Sequence, residues 1–247
     1  MSRDERALEA GVTDPPVPAA LVTGELEILG LLPNASNYTF LVRATTSDVP
    51  LLAVYKPRRG ETPLWDFPRG TLCQREVAAY IVSRALGWPN IPATILREGP
   101  EGVGSVQRFV EFDPNEHYFT LEGTRDDDFV RVALFDLVVN NADRKGGHCL
   151  LSGDDTLWVV DHGVCFHEEP KLRTVIWGFI GRAIPDALMV DMRRVREDLA
   201  GGALQADLEP LLSTEELAAL DERLADLIAG GRFPEPGPGR PYPWPPV

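Results

Sequence analysis

Two acidic side chains, Asp143 and Asp161, have the type and surroundings that phosphoryl transfer requires. Asp143 lies in the polar sequence Asn-Asn-Ala-Asp-Arg-Lys-Gly-Gly-His, and Asp161 begins the sequence Asp-His-Gly directly after an apolar run. In protein kinases one aspartate accepts the proton of the attacking hydroxyl, and the aspartate of an Asp-Phe-Gly sequence holds a metal ion on the nucleotide phosphates. Each sequence alone is more often a turn. Together, flanked by apolar strands, they favour a kinase-like site.

A cation that can bind nucleotide phosphates precedes these acids. Lys56 ends the apolar run Leu-Leu-Ala-Val-Tyr-Lys, as the phosphate-binding lysine of protein kinases ends a strand. Glu76 lies near the start of the next predicted helix. The alternatives are a solvent-facing lysine at a strand edge and an acid that compensates a helix dipole. Because Asp143 and Asp161 follow, we expect Lys56 to contact the nucleotide and Glu76 to hold Lys56.

The residue five positions after Asp143, where protein kinases have a metal-binding asparagine, is His148. Mg²⁺ prefers oxygen ligands, whereas imidazole suits softer divalent ions. We expect Asp161, helped by His148, to hold Mg²⁺ or Mn²⁺. A zinc site among the histidines and cysteines of 148–167 is the weaker alternative, because their spacing matches no recognisable ligand set.

The loop expected to cover the phosphates, Pro33–Tyr38, contains no glycine. Its residues Asn34, Ser36 and Asn37 tolerate turn conformations and can offer side-chain and backbone donors. We therefore expect these three residues to contact the nucleotide, although the loop is not a Walker A motif.

Composition restricts the class of protein. A net charge of −14 argues against nucleic-acid binding, which depends on neutralising phosphates. Three cysteines without a Cys-x-x-Cys pair favour a reduced, cytoplasmic protein. The N-terminus does not resemble a signal peptide, and no apolar run approaches the ~20 residues of a membrane-spanning helix.

The order of predicted elements indicates an α+β protein with two lobes. A flexible leader (1–20) precedes a β-rich N-lobe (21–111), a mostly helical C-lobe (112–231) and a proline-rich tail (232–247). The composition of the tail favours a segment that is inert or packed back on the protein over one that docks onto an aromatic groove. Predicted strands are 24–44, 49–57, 94–96 and 104–111, and predicted helices are 73–86, 128–140 and 214–229, the last with a Ser213/Glu216 capping box.

A proline-rich flap, 58–69, separates Lys56 from the next helix and contains Trp65 and Phe67 among three arginines. Large aromatic side chains are usually mostly buried, so packing of both is one interpretation. The other is that the flap lies beside a cleft expected between the two lobes and receives an anionic acceptor through Arg59 and its neighbours.

The motifs, in this order, resemble those of the phosphatidylinositol 3-/4-kinase superfamily. They are Ala-Val-Tyr-Lys-Pro (53–57), Ser-Val-Gln-Arg-Phe-Val-Glu (105–111), Asn-Ala-Asp-Arg (141–144) and Val-Asp-His-Gly (160–163). The pattern is most similar to type II phosphatidylinositol 4-kinases and to a short actinobacterial family related to them, with HipA-type kinases more distant. The resemblance covers roughly 28–180.

This resemblance implies an atypical protein-kinase-like fold that uses ATP. It makes Asp143 the catalytic acid, Asp161 the metal ligand and Lys56 the phosphate contact. It also places the adenine against a hinge that contains Gln107, Phe109 and Val110.

Two departures limit what the resemblance implies. His148 replaces the metal-binding asparagine, and the cysteine-rich membrane-anchoring insert of the type II lipid kinases has no counterpart in the flap. The acceptor hydroxyl of a phosphotransferase could therefore belong to a protein, a metabolite or a lipid headgroup. The alternative function is that of a pseudokinase, which binds nucleotide and acts through partners.

Overall fold

The computed structural model describes residues 17–33, 37–46 and 49–247. Its first part is an antiparallel sheet of five strands in the order β1-β2-β3-β5-β4. The strands are β1 (Glu25–Leu31), β2 (Phe40–Thr45), β3 (Leu51–Pro57), β4 (Thr94–Gly99) and β5 (Gly102–Arg108). Two helices accompany the sheet, α1 (Ala19–Thr23) and α2 (Leu72–Leu86).

The alternation of side chains along β3 determines the face on which Lys56 lies. Successive side chains of a strand point to opposite faces, and in β3 the residues Ala53 and Tyr55 are fully buried while Val54 and Lys56 are half-buried. The short helix α1 contacts the sheet, and its Leu21 is fully buried. The opposite face of β3 therefore remains free to line a site.

Helix α2 joins the sheet to the second part of the molecule. It ends at Gly87, whose φ of 87° is readily adopted by glycine. Its Arg75 is buried, pairs with Glu216 and donates to the backbone oxygen of Cys165 at 2.6 Å. Arg75 thus ties the helix that carries Glu76 to Glu216 and to the backbone at Cys165.

The second part is mostly helical. Its helices are α3 (Tyr118–Leu121), α4 (Asp126–Val139), α5 (Asp186–Leu199), α6 (Ala203–Leu208) and α7 (Thr214–Gly230), and its small sheet pairs β6 (Cys149–Leu151) with β7 (Leu157–Val159). The predicted capping box is present at α7, since Ser213 and Glu216 exchange side-chain-to-backbone hydrogen bonds. The α+β prediction, with a β-rich first part and a helical second part, is confirmed.

Several predicted boundaries were wrong. The predicted strand 24–44 is two strands, β1 and β2, because the chain reverses between Leu31 and Phe40. The strand predicted to reach Glu111 ends at Arg108. Of the predicted leader, residues 1–16 lie outside the described residues. Within the described ranges, every helix is too short or too polar to span a bilayer.

Candidate active site

The centre of the site is an ammonium group between two carboxylates. Lys56 Nζ donates to Glu76 Oε1 and lies 3.0 Å from Asp161 Oδ1. Glu76 Oε2 accepts the backbone N–H of His162 at 2.9 Å. Burial opposes the charge on Lys56, but Asp161 and Glu76 outweigh burial and raise the pKa of the lysine. The structure therefore joins β3, α2 and the segment after β7 through one charged lysine.

Asp161 is held in a strained backbone conformation at this junction. Its φ is 62°, in the left-handed region that costs a residue with a Cβ roughly 1–2 kcal/mol. The Lys56 ammonium holds the pKa of the Asp161 carboxyl well below its usual range, so that the side chain is ionised. With 51% of its side chain exposed, Asp161 remains accessible to solvent and to a ligand. Strain of this kind is concentrated at functional sites.

Asp143 begins the segment Asp143–His148, the Asp143 loop. Its Oδ2 lies 3.2 Å from Lys145 Nζ, and its backbone N–H donates to Asn141 Oδ1 at 3.0 Å. Burial raises the pKa of Asp143, and Lys145 lowers it in part. A raised pKa moves a carboxylate toward the range useful for accepting a proton.

His148 faces Asp161, and each of its two ring nitrogens has a neighbour. Its Nδ1 accepts the backbone N–H of Lys145 at 3.4 Å, and its Nε2 lies 3.3 Å from Asp161 Oδ2. Burial lowers the pKa of His148 to about 4, so the ring is neutral at pH 7. Because a backbone N–H can only donate, the ring proton belongs on Nε2 and points to Asp161.

The carboxylate of Asp161 suits a metal ion that takes its other ligands from the nucleotide phosphates and water. Among the residues that the structure describes, no three His, Cys, Asp or Glu side chains converge to hold a metal. Mg²⁺ commonly takes one or two protein carboxylates together with substrate phosphates and water. The exposed oxygens of Asp161 fit this mode of binding. His148 would then support Asp161 through a hydrogen bond.

A buried ionic network around Arg144 holds the Asp143 loop in place. Arg144 Nε lies 3.0 and 3.1 Å from the two carboxylate oxygens of Asp136, and its other nitrogens bond the Val160 oxygen at 2.9 Å and His162 Nε2 at 2.7 Å. Asp136 lies outside the motifs that indicated the site. An aspartate inside an otherwise apolar helical run was the available signal, because such residues are buried only with partners.

The predicted hinge follows β5, and its three residues differ in accessibility. The side chain of Gln107 is buried and donates to Thr94 Oγ1 at 2.8 Å. The N–H of Phe109 donates to the Leu52 oxygen at 2.9 Å. The N–H of Val110 donates to no acceptor in the described parts of the chain, and its side chain packs with Leu150. Of the three predicted hinge residues, Val110 is therefore the one whose backbone N–H is left available to a ligand.

A cavity of about 510 Å³ adjoins the hinge, lined in part by Leu52, Arg108, Val110 and Trp158. The Arg108 guanidinium stacks on the Trp158 ring at 4.6 Å. The lining does not include Lys56 or the carboxylates around it. The cavity therefore adjoins the predicted hinge and is separate from the Lys56 group.

The predicted phosphate loop is described only in part. Asn34 and Ser36 lie outside the described residues. Asn37 accepts the backbone N–H of Thr62 through its Oδ1 at 2.7 Å, so that it ties the end of this loop to the flap.

The flap places its two aromatic residues in opposite environments. Phe67 is 7% exposed and packs with Leu72 and with Ala142, the neighbour of Asp143. Trp65 is 92% exposed, with Lys171 Nζ 5.3 Å from its ring centre. The packing interpretation thus holds for Phe67 and is wrong for Trp65.

Comparisons with known proteins give one extensive match in sequence. Over 262 aligned residues the chain is 39% identical to Protein Rv2133c of Mycobacterium tuberculosis, and the match covers 92% of this chain and 94% of that protein. It is 28% identical over 129 residues to Phosphatidylinositol 4-kinase gamma 4 of Arabidopsis thaliana, a match that covers 42% of this chain and 23% of that protein. No protein-family model matches the chain.

Among solved structures, the crystal structure of a Helicobacter pylori proinflammatory kinase, CtkA, aligns with 82% of this chain and 91% of its own chain. The TM-score is 0.49 and the sequence identity is 12%.

Proposed function

We propose that this chain, which belongs to the same family as Protein Rv2133c of Mycobacterium tuberculosis, is a kinase-type phosphotransferase that uses ATP and a divalent metal. The observation that carries this proposal is Lys56 held by both Glu76 and Asp161. Partial similarity to a protein named phosphatidylinositol 4-kinase supports the kinase class.

Each residue of the site has a proposed role that follows from its environment. Lys56 exchanges its contact with Asp161 for the nucleotide phosphates while Glu76 continues to hold it. Asp143, with its raised pKa, orients the acceptor hydroxyl and takes its proton. The N–H of Val110 binds the adenine edge. Lys145, which lies beside Asp143, keeps this carboxylate in place and stabilises negative charge on the transferred group.

Asp161 is the proposed ligand for Mg²⁺ or Mn²⁺. The metal supplies charge neutralisation on the phosphates. Once Lys56 has moved to the phosphates, Asp161 Oδ1 is free, and Oδ2 keeps only its contact with His148. His148 therefore supports the orientation of Asp161 and leaves its charge intact, since the imidazole is neutral at pH 7.

A pseudokinase is the second candidate, and the geometry of His148 favours it. The imidazole occupies the place of a metal-binding asparagine and directs a proton to Asp161. Such a site has one metal ligand fewer than an active kinase. It could bind nucleotide without transferring phosphate.

Calorimetric titration with ATP, in the presence of Mg²⁺ or Mn²⁺, tests nucleotide binding. We expect Lys56→Met to weaken binding by about tenfold or more, equivalent to about 1.4 kcal/mol. Lys171→Met is the matched control, because Lys171 pairs with Asp66 and Glu169 at the flap. Equal affinities of the two variants, or a folded wild-type protein that binds no nucleotide, would contradict both candidate functions.

Turnover of labelled ATP by the same preparations separates the two candidates. A kinase releases or transfers the label, whereas a pseudokinase binds ATP and leaves it intact across a panel of protein, metabolite and lipid acceptors.

A further inference from the structure

The proline-rich tail, 232–247, packs along the helical part and ends against the Asp143 loop. Near its start Phe233 is buried; its oxygen accepts the N–H of Gly181 at 2.9 Å, and its N–H donates to the Arg182 oxygen at 3.0 Å. Further along, the Pro241 oxygen accepts the N–H of Thr174 at 3.0 Å and the indole N–H of Trp177 at 3.3 Å. The tail is therefore attached at separate points, with mostly exposed residues between Phe233 and Pro241.

The last attachment is made to the Asp143 loop itself. The Gly146 N–H donates to the Pro246 oxygen at 2.8 Å. Gly146 lies between this oxygen and the ring of Phe119. A Cβ at Gly146 would approach the ring to 2.8 Å and the Pro246 oxygen to 3.5 Å, so the loop passes here without room for a side chain.

A second route connects the tail to the same loop. Thr174, which donates to Pro241, lies in a segment that pairs with Arg144 through hydrogen bonds of 2.9 Å (Arg144 N to Arg173 O) and 3.2 Å (Val175 N to Arg144 O). The tail thus contacts the Asp143 loop directly at Gly146 and indirectly through Arg144. These two residues flank Lys145, whose ammonium holds the Asp143 carboxylate.

Proline content lets this segment bind at low entropic cost. Four of the six residues from Pro241 to Pro246 are proline, and a chain with fixed φ angles has less freedom to lose on docking. Of these residues, Pro243 is buried, and Pro241 and Pro246 are half-buried. Pro238, earlier in the tail, is exposed.

We propose that the tail is a positioning element of the active site: by holding Gly146 and Thr174 it fixes the Asp143 loop, and with it Asp143 and Lys145, in the geometry for phosphoryl transfer. This inference rests on the proposed function. Lys56, Val110 and Asp161 lie on other elements, so the tail should affect the transfer step more than the binding of ATP.

The test compares Pro243→Gly with Pro238→Gly in the full chain. Both variants lose one proline ring and gain the freedom of glycine, but only Pro243 is buried. In Pro243→Gly we expect amide hydrogen exchange at Gly146 and His148 to rise by about tenfold, since their protection depends on local opening. We also expect kcat to fall by roughly threefold or more while KM for ATP changes by less than about twofold.

Exchange in α7 serves as the measure of global stability and should not change in either variant. Pro238→Gly should match the wild type in exchange and kinetics. Unchanged exchange at Gly146 in Pro243→Gly would overturn the inference, as would raised exchange with an unchanged kcat.

If the wild-type protein shows no turnover, the proposed kinase function is refuted. The contact between the tail and the Asp143 loop is then tested by amide hydrogen exchange. Raised exchange at His148 and at Val160, whose N–H donates to the His148 oxygen at 3.0 Å, supports positioning of the loop, and exchange confined to the tail overturns it.

Discussion

Asp136→Asn should destabilise the protein by about 3–5 kcal/mol, the usual cost of removing one partner from a buried ion pair. The Asp136 and Arg144 side chains are both 0% exposed. Asp136 also accepts hydrogen bonds from Asn141 Nδ2 at 3.0 Å and Thr174 Oγ1 at 3.1 Å. An amide of the same shape leaves the Arg144 guanidinium charged, buried and without a carboxylate. This loss is a large part of the ~5–15 kcal/mol that typically stabilises a protein.

Urea unfolding followed by circular dichroism measures the loss directly. Melting temperature should fall by about 6–20 °C, at ~2–4 °C per kcal/mol for a chain of this size. Asp221→Asn is the matched control, because Asp221 pairs with Arg196 at 2.7 and 3.2 Å on the surface, and exposed pairs contribute less than about 1 kcal/mol.

Arg144→Met in the Asp136→Asn background completes a double-mutant cycle. Removing the unpaired charge should recover part of the stability, so the double variant is less destabilised than the sum of the single variants. If the free energies of unfolding of Asp136→Asn and Asp221→Asn differ by less than about 1 kcal/mol, the buried network does not hold the Asp143 loop as described.

Two other predictions concern His148 and the flap. His148 has a folded pKa of about 4 and an unfolded pKa near 6.5, so the unfolded state binds the proton first and the free energy of unfolding falls, by up to about 3 kcal/mol, as pH drops from ~6.5 to ~4. Urea titrations at several pH values measure this, and the free energy of unfolding of His148→Asn should lack this part of the pH dependence. If it changes with pH as in the wild type, His148 is not the group responsible. Phe67→Ala should cost about 3 kcal/mol because Phe67 is buried, whereas Trp65→Ala should change stability by less than about 0.5 kcal/mol. Similar melting temperatures for these two variants would contradict the described packing of the flap.

Local sequence rules accounted for the elements whose signals are local. The apolar run before Lys56 predicted the strand that ends near this lysine, and the Ser213/Glu216 capping box marked the start of α7. Glu76 was expected to hold Lys56, and the structure shows this contact. The contact of Lys56 with Asp161 was not predicted. Their roles in catalysis stay predictions.

Long-range contacts were beyond these rules. Nothing in the proline-rich sequence of the tail specifies that Pro246 bonds Gly146 or that Pro243 is buried, because both depend on how the helical part is assembled. Trp65 illustrates the same limit. Residue type predicts burial for both flap aromatics, whereas only Phe67 finds a neighbour such as Ala142 to pack against.

Turnover of ATP by Asp143→Asn tests the central claim most directly. Asp143 is assigned the proton of the acceptor hydroxyl, so the variant should lose turnover by about 100-fold or more, the usual contribution of general base catalysis. It should bind ATP with nearly the wild-type affinity. Asp207→Asn, at an exposed position of α6, should behave as the wild type in both assays. Equal turnover in Asp143→Asn and the wild type would contradict the assignment of this site as a phosphotransferase centre.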